Sequence, residues 1–194
     1  MQLPWPVVLA SASPRRQELL RQIIPDFVVD PAHLDEEALT DPDPWVTAQK
    51  LAREKALAVR ESHPDSLVIA GDTVVALSEG EGWIQLAKPE DPPHAEEILA
   101  KLAGRTHTVI TGIALAGPTA FSAFTESSKV TFRPLSKQEI AAYVATGEPM
   151  DKAGSYGLQG MAKDFIAKVE GSVTCVIGLP MERLEEALRS LVKK

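Results

Sequence analysis

Two adjacent arginines stand where a helix should disfavour them. Residues 9–20 read LASASPRRQELL, with Ser13 a good N-cap and Pro14 suited to the first helical position. Arg15 and Arg16 then fall in the first turn, at the positive end of the helix dipole. Cations there are disfavoured by roughly a few tenths of a kcal/mol each. On one reading both side chains simply point to solvent. On the other, an anion occupies the helix N-terminus and the guanidiniums become its bidentate partners, as phosphate would allow. The small residues Ala10, Ser11 and Ala12 would let such a ligand approach the backbone closely.

Three further stretches carry chemistry-bearing residues. Asp72 follows the apolar run LVIAG, and Gly71 beside it predicts a bend or a close backbone approach. A carboxylate at a strand end is well placed for metal or water; the plainer alternative is a turn aspartate hydrogen-bonded to Thr73. Lys55 projects near the apolar stripe of a helix, and Lys88 heads the loop AKPEDPP. Each is either a solvated or snorkelling lysine or a neutraliser of a polyphosphate. The segment DKAGSYGLQG, residues 151–160, has glycines spaced for a loop that closes around a flat or anionic ligand. Within it, Gln159 offers both a donor and an acceptor to a base edge.

Other chemistries lack their residues. Neither GxxxxGK[ST] nor GxGxxG occurs, and the four histidines are scattered without HExxH or CxxC spacing. There is no GxSxG, and the single cysteine, Cys175, sits in the apolar run VTCVIGLP and reads as a core thiol. One cysteine excludes an intramolecular disulfide and fits a reducing cytosol, so a cytoplasmic location is expected. The 194-residue chain is 44% hydrophobic and 24% charged, as in globular proteins. Its net charge of −7 argues against nucleic acid as a partner while leaving room for a local basic pocket. No stretch approaches the ~20 apolar residues of a membrane span, and MQLPWPVVLA lacks the basic n-region of a signal peptide.

The elements that must position these residues follow from periodicity. A buried strand is predicted from Trp5, a helix from Pro14 to about Ile24 and a short strand at Phe27. An acidic loop covers residues 31–44. A long helix is expected from Trp45 to Glu61, with Val46, Leu51, Ala52, Ala56 and Val59 as its apolar stripe. The next strand, from Ser66, is expected to break at Gly71-Asp72-Thr73, and a hairpin follows through EGEG into WIQLA. A helix runs from the Asp91 cap to a Gly104 stop. Two long β-rich runs, THTVITGIALAG and AFSAFTESSKVTFRPL, should pair antiparallel. Ser136 and Glu139 form a capping box for a further helix. After the glycine loop come two predicted strands, DFIAKVEG and SVTCVIG, and a C-terminal helix from Pro180. The expected architecture is α/β: a mixed sheet with flanking helices, one domain over residues 1–194 with two lobes around a central cleft.

Taken in order, LASASPRRQELL, REKA, AGDTVV, AKPED, THTVITGIAL, TGEPMDKAGSYGLQG and VIGLP resemble the Maf family of nucleoside triphosphate pyrophosphatases, from about Leu9 to Pro180. The resemblance implies an elongated fold similar to that of inosine triphosphate pyrophosphatases. It implies hydrolysis of the α–β phosphoanhydride of a nucleoside triphosphate with a divalent cation, Mg²⁺ or Mn²⁺. Asp72 matches the family's proton acceptor and lies near the metal. Ser11, Arg16, Lys55 and Lys88 match substrate-binding positions. The pair Asp35-Glu36 falls where a carboxylate approaches the metal, and the spacing admits either residue. The family's usual GKP is AKP here, with Ala87 replacing glycine. Arg15, Thr73 and Gln159 match the branch acting on dTTP and UTP, so that specificity is expected. The alternatives are a pyrophosphatase for 7-methyl-GTP or a non-canonical purine nucleotide, and a nucleotide-binding regulator of septum formation. House-cleaning of canonical or modified pyrimidine nucleotides would use the same pocket. The expected partner is the nucleotide substrate, with no nucleic acid or membrane, and a homodimer is the assembly this reading allows.

Overall fold

In the computed structural model, which describes residues 3–192, seven strands form one mixed sheet. Strands β1 (Val7–Leu9) and β2 (Val28–Val29) are parallel, with helix α1 (Pro14–Arg21) between them. Helix α2 (Pro44–Arg60) leads into β3 (Leu67–Glu79), which pairs parallel to β1 along one edge. Strand β4 (Gly82–Leu86) returns antiparallel on that same edge, from Val75 onward. Helix α3 (Pro92–Leu102) precedes β5 (Thr106–Ala116), which covers the opposite edge of β3 from Val68 to Ala76. Strand β6 (Phe121–Phe132) then pairs antiparallel with β5, and β7 (Ile166–Glu170) with β6. Between β6 and β7 come α4 (Lys137–Val144) and three short 3₁₀ turns; α5 (Val173–Ile177) and α6 (Met181–Val192) close the chain.

The pleat of β3 explains why two lobes form. Successive side chains of a strand face opposite sides of the sheet. Leu67 and Ile69 enter one core, with Leu20 of α1, Ile113 and Leu115 of β5, and Leu184 and Leu188 of α6. Val75 and Leu77, on the same face, enter a second core with Leu99 of α3, Phe132, Tyr143 and Tyr156. Gly71 and Thr73 lie between the two. Each fully buried Leu, Ile or Phe contributes about 1.5–3 kcal/mol, so both cores hold their ends of the sheet firmly while the strip between them stays open for other uses. The other face of β3 (Val68, Ala70, Val74, Ala76) is covered by Ala48, Ala52 and Ala56 of α2.

Local chemistry fixes the helix ends. Ser136 Oγ accepts from the Glu139 N–H and Glu139 returns a carboxylate oxygen to the Ser136 N–H, the expected capping box. Asp91 caps α3 by accepting from the His94 N–H at 2.8 Å, and Gly104, at φ +68°, follows its end. Three expectations are corrected. Strand β3 runs unbroken through Gly71-Asp72-Thr73, so Asp72 sits in mid-strand and not at a strand end. Val46 is exposed, because two residues of helical rotation carry it well away from the Ala48–Ala52–Ala56 line. SVTCVIG contains a short helix, α5, and not a strand: Ser172 Oγ accepts from the Cys175 N–H, and Gly178 at φ +118° ends the turn.

Among the described residues no helix is long and apolar enough to cross a membrane.

Candidate active site

The sheet is interrupted beside β3 and not within it. On one edge β1 reaches only to Ile69 and β4 begins only at Val75, so residues 70–74 lack a strand neighbour there. Asp72 lies in that gap, and a cavity of about 490 Å³ opens around it between the lobes. Arg15, Arg16, Lys55, Lys88 and Lys152 line the cavity, against the acids Glu36, Glu37, Asp72 and Asp151. A chain of net charge −7 thus brings five cations to one cleft, as an anionic ligand requires. Val75, Leu86, Val176 and Ile177 give part of the wall an apolar surface.

Helix α2 delivers Lys55 to the carboxylates. Gly112 stands opposite Asp72 in the β3–β5 ladder, and a Cβ there would lie 2.5 Å from the Ala48 carbonyl carbon. The missing side chain lets α2 press onto the sheet. Lys55, two turns beyond Ala48 on the same face, donates to Asp72 Oδ1 at 2.7 Å and pairs with Glu36 Oε1 at 2.6 Å. Of the acidic pair, Glu36 is the one that meets Lys55. Asp35 turns away and accepts from the Ala38 N–H at 3.4 Å.

Arg16 bends back from the α1 terminus. Its Nε donates to the Gly178 carbonyl at 2.8 Å, Nη1 to Ser11 Oγ at 3.1 Å and Nη2 to Thr73 Oγ1 at 2.9 Å. Gly71 leaves it room, since a Cβ there would stand 3.3 Å from Nε. Burial lowers the Arg16 pKa, and the Asp72 charge works in the opposite direction. The backbone of α1 itself has little left to offer an anion. Pro14 has no N–H and Ser13 Oγ takes that of Arg16 at 3.4 Å, so the guanidiniums supply most of the donors. Arg15 faces Asp151 across the cleft at 3.6 Å.

The glycine loop forms the far wall. Gly154, at φ +69°, packs its Cα side against Val75, where a Cβ would stand 2.9 Å from Cγ1. Its N–H donates to the Ala87 carbonyl at 3.2 Å, a bond that the alanine of AKP supplies as well as glycine would. Tyr156 lines the cavity and its hydroxyl meets His107 Nε2 at 2.7 Å beneath the floor. Gln159 and Lys88 reach the cavity as exposed side chains. Of the sequence-predicted residues, Ser11 and Asp35 do not line the cavity; Ser11, buried behind it, serves Arg16. Lys152, bonded to the Glu148 carbonyl and Asp151, lies within the glycine loop without a spacing signal of its own. Thr111 is marked in the sequence only by a hydroxyl within the apolar run VITGIALA.

A family model described as Maf-like protein matches residues 6–191. The chain belongs to the Maf family. Three relatives are each named dTTP/UTP pyrophosphatase. That of Koribacter versatilis is 44% identical, covering 94% of this chain and 93% of the relative. That of Aquifex aeolicus is 43% identical, covering 95% of each. That of Myxococcus xanthus is 46% identical, covering 90% and 87%. The Ham1 protein of Staphylococcus aureus has a similar structure, with a TM-score of 0.50 at 18% identity over 96% of this chain and 90% of that one. That likeness speaks to the fold, and the Maf chain shares its mixed α/β architecture.

Proposed function

We propose that this Maf-family chain hydrolyses dTTP and UTP to the nucleoside monophosphate and pyrophosphate. The observation that carries the reading is a carboxylate, Asp72, held by Lys55 inside a cleft whose other cations face the same space. A cavity built only to bind polyphosphate gains nothing from a carboxylate at its centre unless a cation bridges the two. One built to cleave it needs a proton acceptor there. The names of the relatives supply the substrate pair.

In this reading the triphosphate lies along Arg16, Lys55 and Lys88. Asp72 accepts a proton from the attacking water as its oxygen bonds to the α-phosphorus. The bond from that phosphorus to the bridging α–β oxygen breaks, and the electron pair leaves with pyrophosphate. Arg16 and the lysines offset the charge growing on the leaving group, the kind of pre-set electrostatic contribution that dominates phosphoryl chemistry. Gln159 faces the base with an amide that offers a donor and an acceptor, matching a uracil or thymine edge.

Among the described residues no set of three or more His, Cys, Asp or Glu side chains forms a metal-binding group. Glu36 and Asp72, joined through Lys55, are two carboxylates beside a phosphate cleft. That donor set suits a Mg²⁺ or Mn²⁺ ion that arrives with the nucleotide, held by one or two carboxylates and the phosphates themselves. Bound there, the ion would polarise the phosphate oxygens and neutralise their charge.

The test is release of pyrophosphate and monophosphate from dTTP, UTP, CTP, GTP, ITP and 7-methyl-GTP, with Mg²⁺ or Mn²⁺, beside Asp72→Asn. Turnover of dTTP and UTP, reduced ~10²-fold or more by the variant at unchanged melting temperature, is expected for loss of a positioned base. Preference for a purine would overturn the substrate assignment. Tight binding without product would make the chain a nucleotide sensor.

A further inference from the structure

Thr111 occupies the middle of β5 with no exposed surface. It sits where the two cores part: Val109 belongs to one and Ile113 to the other. A hydroxyl buried there must be hydrogen-bonded, or its desolvation goes uncompensated. Its oxygen lies 2.8 Å from the Cys175 carbonyl, which can only accept, so its single hydrogen is committed to that bond. It also lies 3.0 Å from Thr73 Oγ1, its direct partner in the β3–β5 ladder. With the Thr111 hydrogen spent, Thr73 is the donor of that pair. Thr73 in turn has one hydrogen and must accept from Arg16 Nη2 at 2.9 Å. The Cys175 carbonyl thereby fixes the direction of the Thr73–Thr111 bond, and the guanidinium, which can only donate, fixes the last one.

Three of the five Arg16 donors are held by the protein, at Gly178, Ser11 and Thr73. Two are left for a ligand. We propose that Thr111 is a positioning residue for Arg16. By turning a lone pair of Thr73 toward the guanidinium, it sets the angle at which Arg16 meets the phosphates. The proposal rests on reading the cleft as a triphosphate site. Its effect is common to dTTP and UTP, because the chain of bonds ends on Arg16 and not on Gln159.

Thr111→Val removes the hydroxyl at nearly constant shape, and the Cys175 carbonyl keeps its bond from the Gly178 N–H at 3.0 Å. In the full-length chain, Thr111→Val should lower kcat/KM for dTTP and UTP by one common factor, about tenfold or more. Small misplacements of a phosphate-holding group have effects of this order. The Kd for inorganic pyrophosphate, measured by calorimetry, should rise in parallel. Thr111→Ser restores the hydroxyl and should restore both quantities. Adding Thr73→Val to Thr111→Val should cause little further loss, since both cut the same chain. If Thr111→Val does not fold, Thr111→Ala removes the same hydroxyl and carries the test through the same common loss. A folded Thr111→Val matching an active wild type in both readouts overturns the proposal, as does failure of Thr111→Ser to restore them or a loss confined to one nucleotide. A wild type that neither binds pyrophosphate nor turns over nucleotide sinks the triphosphate reading and the proposal with it.

Discussion

Lys55 Nζ stands 2.7 Å from Asp72 Oδ1 and holds Glu36 on its other side at 2.6 Å. One ammonium thus separates two carboxylates that would otherwise repel each other. The Lys55 and Asp72 side chains are mostly buried, so this pairing is screened far less than a surface ion pair. Lys55→Met should lower kcat/KM by ~10²-fold, the usual effect of losing one oriented charge at a phosphate site. The same variant should bind Mn²⁺ more tightly than wild type in the absence of nucleotide, because the carboxylates lose a competing cation. Calorimetry with Mn²⁺ alone checks the second effect, and unchanged metal affinity would show that the ammonium does not compete for the pair.

Gly112 is the reason α2 can lie so close. A methyl group there would press on backbone atoms, with Gln49 N 2.9 Å from the Cβ, and backbone cannot swing aside as a side chain can. Gly112→Ala should cost ~1–3 kcal/mol or more of stability through overpacking. Urea denaturation measures that cost. Because the helix must lift off the sheet, Lys55 retreats from Asp72, and turnover per folded molecule should fall as well. A stable Gly112→Ala variant with full activity would contradict the close contact.

His107 gives the fold an acid-sensitive point. It is buried between Phe132 and Tyr156, and burial lowers its pKa from 6.5 to about 4. Its Nδ1 has no hydrogen-bond partner among the described residues. Between about pH 6.5 and 4 the unfolded chain binds a proton there that the folded chain does not. Stability is therefore retained above that window and lost as pH falls through it, by roughly 3 kcal/mol in full. Melting temperatures of wild type and His107→Gln across this range should converge toward acid pH, since the glutamine variant lacks this titration. Parallel curves would remove His107 from the acid response.

The helix and hairpin signals were strong where the chemistry is local. Ser136 and Glu139 satisfy each other's backbone within one turn, so their four-residue pattern suffices. Ser13-Pro14 likewise starts α1 where expected. The glycine loop announced itself because Gly154 must adopt a positive φ. The apolar run before Asp72 marks its strand, but the expected break lies in its neighbours, where β1 stops and β4 has not begun. Strand pairing across long stretches of chain is not written in the residues at 71–73.

Helix α5 shows the limit most clearly. Val173, Thr174, Val176 and Ile177 are β-branched and favour a strand by propensity. A five-residue helix gains little from its own backbone. It persists because Ser172 caps its start, and because Thr111 and Arg16 satisfy the carbonyls of Cys175 and Gly178 at its end.

The sequence by itself determined four of the five cations of the cleft, the acidic centre, the glycine loop and the order of most elements, since each depends on residue type and near neighbours. Only the tertiary structure decided that Glu36 and not Asp35 meets Lys55, that Ser11 and Thr73 serve Arg16, and that α5 is a helix. Those choices depend on partners brought together from distant parts of the chain. The physical reason is that a buried guanidinium and the carbonyls of a short helix leave each other's hydrogen-bonding needs unmet until the fold joins them.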